Sequence, residues 1–399
     1  MTVALELRGR RLINARGNST KAGGSVLAPE VVAAMTEAAQ FYVRIEDMQA
    51  AAGDVIRRMT GAEAGYVTSG ASAGLTLAAA AALAGLDPAK MNRLPNTTGM
   101  ANEIICIRQQ RNDYDHALRL AGAQIVEIGF VDWTFPYELE AAITDRTCAV
   151  YYLGHQPVMS LPLKEVIRIA HAHDLPVIVD ASVVLPPAEN LRAIVAMGAD
   201  LVAFSGGKHI QGPQASGILA GRRDLILSAA LQHQDMDVYP ETWPLRGLIA
   251  DGTIVGPPHH GIGRGFKVGK EEIAGLIAAL EAYGSRDFAA EAARWTRDLA
   301  TIVEGVDGVP GISARRVDPA RDAMPQYPIV QLTVDAAAAG LSANDLVNRL
   351  QDGDPIICTV EGQARRGIVG LLPIALMPGD AEEIVVAVRA IVGAPVAAT

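Results

Sequence analysis

Between about residues 64 and 220, short apolar runs rich in β-branched residues alternate with Ala-rich stretches. The runs GYVTS (65–69), EIICI (103–107), QIVEI (124–128), CAVYYL (148–153), PVIVDA (176–181), LVAFS (201–205) and SGILA (216–220) predict seven strands. Helices are expected between them, near 71–85, 114–121, 135–143, 162–173 and 188–197. Several of the strands are apolar at successive positions, not alternate ones. That pattern belongs to a largely parallel sheet covered by helices on both faces, an α/β architecture.

The flanks read differently. Residues 29–52 form an amphipathic helical stretch with Pro29 at a first helical position. After a Gly/Pro-rich segment at 251–265, helices are expected at 268–283 and 285–304. A fresh alternation follows: strand 328–333, helix 342–352, strand 367–372, helix 379–392. The expected organisation is a large α/β domain at 56–284 and a smaller α+β domain at 285–399. Residues 1–55 are expected to be an N-terminal segment packing on the small domain and on a dimer interface.

Composition narrows the function. With six Phe, nine Tyr and three Trp in 399 residues, base-stacking platforms for single-stranded nucleic acid are not expected. A net charge of −10 repels a phosphate backbone. Glu6 interrupts what a secretory signal would need, and the uncharged window 64–86 reads as strand, loop and helix, not as a membrane span. Cys106, Cys148 and Cys358 are far apart, so neither a disulfide framework nor a zinc site is suggested, and a cytoplasmic location fits. His171 and His173 form an HxH on a helix, which splays the two rings apart, and His259–His260 has no acidic or Cys neighbours at ligand spacing, so no metal site is expected.

The most informative segment is FSGGKHIQGPQASGILAG (204–221). Lys208 follows a strand end and two glycines, which allow a tight path that projects the lysine into a cleft at the sheet's carboxyl edge. Asp180 ends the apolar strand PVIVD, where a buried acid is costly without a partner. A lysine amine and a strand-end carboxylate are what pyridoxal 5′-phosphate (PLP) requires, for a Schiff base and for its pyridinium nitrogen. The turn Ser69-Gly70-Ala71-Ser72-Ala73-Gly74 between strand and helix suits a phosphate cradle, and Ser205 could add a hydroxyl to it. Neither GxxxxGK nor GxGxxG is present, which excludes a Walker loop and a dinucleotide fingerprint.

The chain resembles fold-type I PLP enzymes of the selenocysteine synthase-related group, most of all its D-glucosaminate-6-phosphate ammonia-lyase-like members. The matching stretches are INARGNSTKAGGSVL, TGAEAGYVTSGASAGLTLAAAA, VDAS, SGGKHIQGPQASG and GIGRGFKVGKEEI, with a looser match around GIVGLLPIALMPGD. The resemblance implies that Lys208 carries the cofactor and that Asp180 pairs with its ring nitrogen. It further implies that Ser69, Gly70, Ala71 and Ser205 surround the phosphate and that Ser182, in VDAS, lies at the cofactor. Gln110 stands where relatives commonly carry a His expected to stack on the ring, with Arg111 and His116 as nearby substitutes. Arg264, among glycines and beside Lys267, is expected to reach a neighbouring subunit's cofactor or substrate anion. Arg16, His155, His209 and Arg365 are candidate substrate contacts.

The expected function is Cα deprotonation and α,β-elimination on a small amino acid or amino sugar acid, giving a 2-keto acid and ammonia. Transamination and racemisation use the same carbanion and stay open. Selenium transfer onto seryl-tRNA is disfavoured by the net charge, and a ligand-binding protein without turnover is argued against by Lys208 and Asp180. The expected partners are a small-molecule substrate and a second copy of the chain, with no nucleic acid and no membrane.

Overall fold

The computed structural model describes residues 9–155, 160–321 and 323–393. Two compact units divide the chain: Val26–Ser285, and the described parts of Met1–Ser25 together with Arg286–Thr399. Residues 1–8 and 394–399 of the expected N-terminal and C-terminal segments lie outside the described residues.

The larger unit is built on a seven-stranded sheet of β1 (Ala64–Thr68), β2 (Glu103–Ile107), β3 (Gln124–Ile128), β4 (Thr147–Leu153), β5 (Val177–Asp180), β6 (Leu201–Ser205) and β7 (Gly217–Gly221). Its order is β1-β7-β6-β5-β4-β2-β3. Only β7 runs against its neighbours, so the other six strands end at the same edge. In-register pairs Leu153–Asp180, Ser205–Gly217 and Gly217–Thr68 put the carboxyl ends of β4, β5, β6 and β1 and the start of β7 at that edge. β4 is buried at every residue, as its unbroken apolar run requires.

Two helices precede the sheet, α1 (Pro29–Ala38) and α2 (Ile45–Thr60). The single amphipathic stretch expected at 29–52 is therefore broken at 39–44. Both helices sit in the larger unit against the later helix Lys270–Gly284, not in a separate N-terminal segment. An amphipathic stripe shows that a face is buried but not what covers it, so this assignment could not be read from residues 1–55 alone.

Helix α3 (Ala71–Ala84) follows β1 directly and is buried around most of its circumference, with Leu75, Leu77 and Ala78–Ala81 under the sheet. A helix so uniformly apolar can only be internal. Its small side chains let it lie close to the strands, and it joins Tyr151, Ile178, Leu201, Ala203 and Leu219 in one core cluster.

In the smaller unit a three-stranded antiparallel sheet runs Ile368–Leu371, Ile329–Val334, Ile312–Val317. Helices Phe288–Gly305, Ala343–Asp352 and Asp380–Gly393 close its core. The short strand Leu12–Asn14 pairs in parallel with Ile356–Cys358. The strand Ile312–Val317 escaped the sequence reading because ISARRV buries only its first residue.

Candidate active site

The loops at the carboxyl edge of the large sheet gather most of the expected chemistry. Asp180, at the end of β5, is 3% exposed. Its Oδ1 accepts from the Ser182 backbone N–H (2.9 Å), and its Oδ2 accepts from the Tyr151 hydroxyl (3.4 Å). Ser182 thus contributes its main chain to the site's acid.

Lys208 lies in the turn after β6, closed by Gly212 N–H to Gly206 O and Gln211 N–H to Lys208 O. A Cβ on Gly206 would strike Ser216, and one on Gly207 would strike Gln214, so the turn is closed to larger residues. Burial lowers the Lys208 amine below the ordinary lysine range, against the opposing pull of Asp180. Lysine and acid are therefore electrostatic neighbours, as the sequence reading required.

His155, just past β4, completes this group. Its Nδ1 is buried with no hydrogen-bond partner among the described residues. Burial lowers its pKa, while the charge of Asp180 pulls it up and that of Lys208 pushes it down. His209 does not join them. It is buried, and its Nδ1 meets the Tyr283 hydroxyl at 3.0 Å, with the two rings edge to face. His209 thus packs against the helix Lys270–Gly284 through Tyr283.

A second cluster lies where β1 meets α3. Gly70 holds a φ of 119° as the residue before the helix, and a Cβ there would meet open space. The first-turn N–H groups of Ala71, Ser72 and Ala73 precede the first ladder bond, from Gly74 N–H to Gly70 O, and so lack intrahelical acceptors. Gly217 makes the approach possible: a Cβ on it would come within 2.5 Å of Gly70 C and 2.8 Å of Ala71 N. Ser205 is paired with Gly217 across the sheet, on the same side of the turn. The Ser69 hydroxyl donates instead to Phe266 O (2.6 Å), tying the cradle to the Gly-rich segment.

That segment carries Arg264, which pairs with Asp235 at 2.9 Å. With Lys267, Arg44, Glu46, Tyr66 and His233 it lines a cavity of about 450 Å³. The Tyr66 hydroxyl meets His233 Nδ1 at 2.9 Å, and His233 Nε2 meets Phe266 O at 3.1 Å. Burial keeps that histidine's pKa below its usual value. Asp235, Asp237 and His260 form an exposed cluster beside it, an acidic neighbourhood for His260 that linear spacing did not reveal.

Other candidates fall elsewhere. Gln110 is 1% exposed, and its amide is committed at both ends. Oε1 accepts from Leu153 N–H and Nε2 donates to the Ser160 hydroxyl, both at 2.9 Å. It ties the loop after β2 to the end of β4. Arg111 is paired with Asp115 and Glu127, and His116 is exposed, so neither stands in for a stacking ring. Arg16 pairs with Glu361 at 2.8 Å within the smaller unit, where Arg365 is also found, exposed in the short turn before Ile368–Leu371. Tyr151 was missed by the sequence reading. The available signal was a phenol in an otherwise apolar, buried strand next to the strand ending in Asp180.

This donor set fits PLP. There is an amine of lowered pKa, a buried acid with one protein donor on each oxygen, an imidazole nitrogen without a partner among the described residues, and a helix N-terminus preceded by a glycine. Such an arrangement on a six-parallel, one-antiparallel sheet is compatible with a fold-type I PLP site.

Residues 29–234 match the aminotransferase class-V family, and the chain belongs to that family of PLP-dependent enzymes. It is 34% identical over 390 residues to the D-glucosaminate-6-phosphate ammonia lyase of Salmonella typhimurium (strain 14028s / SGSC 2262), covering 96% of this chain and 95% of that one. A solved structure of D-glucosaminate-6-phosphate ammonia-lyase matches over 98% of both chains, with a TM-score of 0.79 and 32% identity. The 5'-C-glycyluridine monooxygenase-decarboxylase of Streptomyces sp is also 34% identical, over 384 residues, covering 94% of this chain and 88% of that one. The L-seryl-tRNA(Sec) selenium transferase of Desulfovibrio desulfuricans (strain ATCC 27774 / DSM 6949 / MB) is 32% identical over only 254 residues, 56% of this chain and 50% of its own length.

Proposed function

We propose that this enzyme is a lyase that eliminates a β-substituent from a small 2-amino acid or amino sugar acid, releasing a 2-keto acid and ammonia. The observation that carries the reading is the end-to-end similarity to an ammonia lyase, which spans both units of the fold. In this reading Lys208 is the covalent anchor and the base, Asp180 partners the ring nitrogen, and the Gly70–Ala71 turn with Ser205 holds the phosphate. When bound, PLP takes up the substrate amine and spreads the negative charge left at Cα into its ring.

The chain's own residues account for the proton traffic. Lys208, neutral at a lower pH than an exposed lysine, takes the proton from the substrate Cα. The resulting ammonium is the donor that lets a β-hydroxyl leave as water. Asp180 keeps a proton on the ring nitrogen. His155 offers an unfilled nitrogen for a substrate hydroxyl or carboxylate beside the reacting carbon. Hydrolysis of the enamine product returns one water and gives keto acid and ammonia, so the net reaction is loss of the amine with oxidation at C2 balanced by reduction at C3.

A second reading rests on the monooxygenase-decarboxylase relative, equal in identity. The same Cα carbanion would then be oxidised by O2: one oxygen atom enters the product as a carboxamide, the other is reduced to water, and the carboxylate leaves as carbon dioxide. Incubating the PLP-loaded protein with 2-amino-3-hydroxy acids, amino sugar acids and an amino acid-bearing nucleoside separates the two. Ammonia and 2-keto acid formed without oxygen uptake support the lyase. Oxygen uptake with carbon dioxide release overturns it in favour of the second reading.

We further propose a cytoplasmic homodimer. The three cysteines are free and buried, in keeping with a reducing compartment, and no helix among the described residues is long and apolar enough to cross a membrane.

A further inference from the structure

Two adjacent tyrosines occupy β4, and the alternation of a strand sends them to opposite faces. Tyr152 donates to Leu161 O at 3.1 Å. Tyr151 lies on the α3 face, fully buried, in register with Cys106 on β2 and Ile178 on β5. Phenylalanine would fill this position equally well. A phenol there gives up its hydration and needs a return.

That return is Asp180. The Tyr151 hydroxyl donates to Oδ2 while the Ser182 backbone N–H donates to Oδ1, so the two donors fix the carboxyl plane from both sides. Asp180 follows Ile178 by two residues and shares its face, which puts the acid one step along the strand from the phenol. Burial first, and Asp180 next, push the Tyr151 ionisation far above its usual range, so the hydroxyl is a permanent donor.

We infer that Tyr151 is a positioning residue that orients the Asp180 carboxyl toward the cofactor's ring nitrogen, acting through Asp180 and not by touching substrate. The inference rests on Asp180 being the ring-nitrogen partner.

A double-mutant cycle tests it with Tyr151→Phe, Asp180→Asn and the double variant, reading the PLP dissociation constant, the visible spectrum of the loaded proteins and the thermal unfolding of the apo proteins. One long hydrogen bond to a charged group predicts that Tyr151→Phe weakens PLP binding about 5-fold, with apo unfolding unchanged. In the Asp180→Asn background the same change should add nothing to the loss of PLP affinity, because the carboxylate that Tyr151 orients toward the ring nitrogen is gone. If the two effects multiply, or Tyr151→Phe binds PLP with wild-type affinity and spectrum, the inference is overturned. A lower apo unfolding temperature without coupling to Asp180→Asn assigns Tyr151 to packing, and also overturns it. If Asp180→Asn itself binds PLP as the wild type does, the Asp180 assignment fails, an outcome distinct from the others.

Discussion

A lysine held mostly out of water burdens the folded chain whenever it carries a proton. Burial lowers the Lys208 pKa from its usual 10.5, so below that value the unfolded chain binds protons more readily than the folded one, and stability rises with pH. Lys208→Met keeps the length of the side chain and removes the charge. The apo variant should therefore show a higher urea midpoint than the apo wild type at pH 7, an advantage that fades as pH climbs toward the ordinary lysine range. An unchanged midpoint at both pH values would mean that the amine is not desolvated. The proposed reaction gains from the same burial, since a lowered pKa leaves more of the amine neutral to accept a Cα proton. Lys208 and Asp180 were legible because a strand-end acid and a lysine after two glycines have few packing explanations. His209 was not, because adjacency to Lys208 in sequence does not show the Tyr283 hydroxyl that its ring meets.

The cradle is a matter of elements, since it exists only where β1, β7 and α3 meet. Gly217→Ala puts a Cβ against Gly70 C and Ala71 N, backbone atoms that cannot swing aside as a side chain would. Folding stability should fall by about 1–3 kcal/mol. PLP affinity should drop further than stability does, tenfold or more, because the displaced N–H groups are those proposed to face the phosphate; equilibrium dialysis checks this. Wild-type affinity would place the phosphate elsewhere. At this scale the pattern of apolar runs located all seven strands of the large sheet to within a residue or so, since buried parallel strands leave an unmistakable trace. The break at 39–44 and the strand Ile312–Val317 were hidden. An edge strand with one buried residue carries no alternation to detect, and a helix–turn–helix can keep one amphipathic stripe across its turn.

For the molecule as a whole, the open question is whether a site is completed by a second copy. Arg264 is paired with Asp235 in its own chain, and the proposal that it also serves a neighbouring subunit separates cleanly from a local role. Lys208→Ala and Arg264→Ala should each be inactive alone. If sites are shared, an equimolar mixture that exchanges subunits should regain about a quarter of wild-type turnover, because half the dimers then carry one intact site. No recovery, with exchange shown by a tagged subunit, confines Arg264 to its own chain.

The pairing of Leu12–Asn14 with Ile356–Cys358 has a consequence for biosynthesis. Leu12 leaves the ribosome long before Ile356 exists, and at about 5–20 residues per second the delay is roughly 20–70 s. Throughout that interval the first strand of the smaller unit is an orphan, while Val26–Ser285, whose strands all lie within it, is already free to assemble. The nascent chain can thus assemble its larger unit first, with Leu12–Asn14 left unpaired until Ile356–Cys358 has been made.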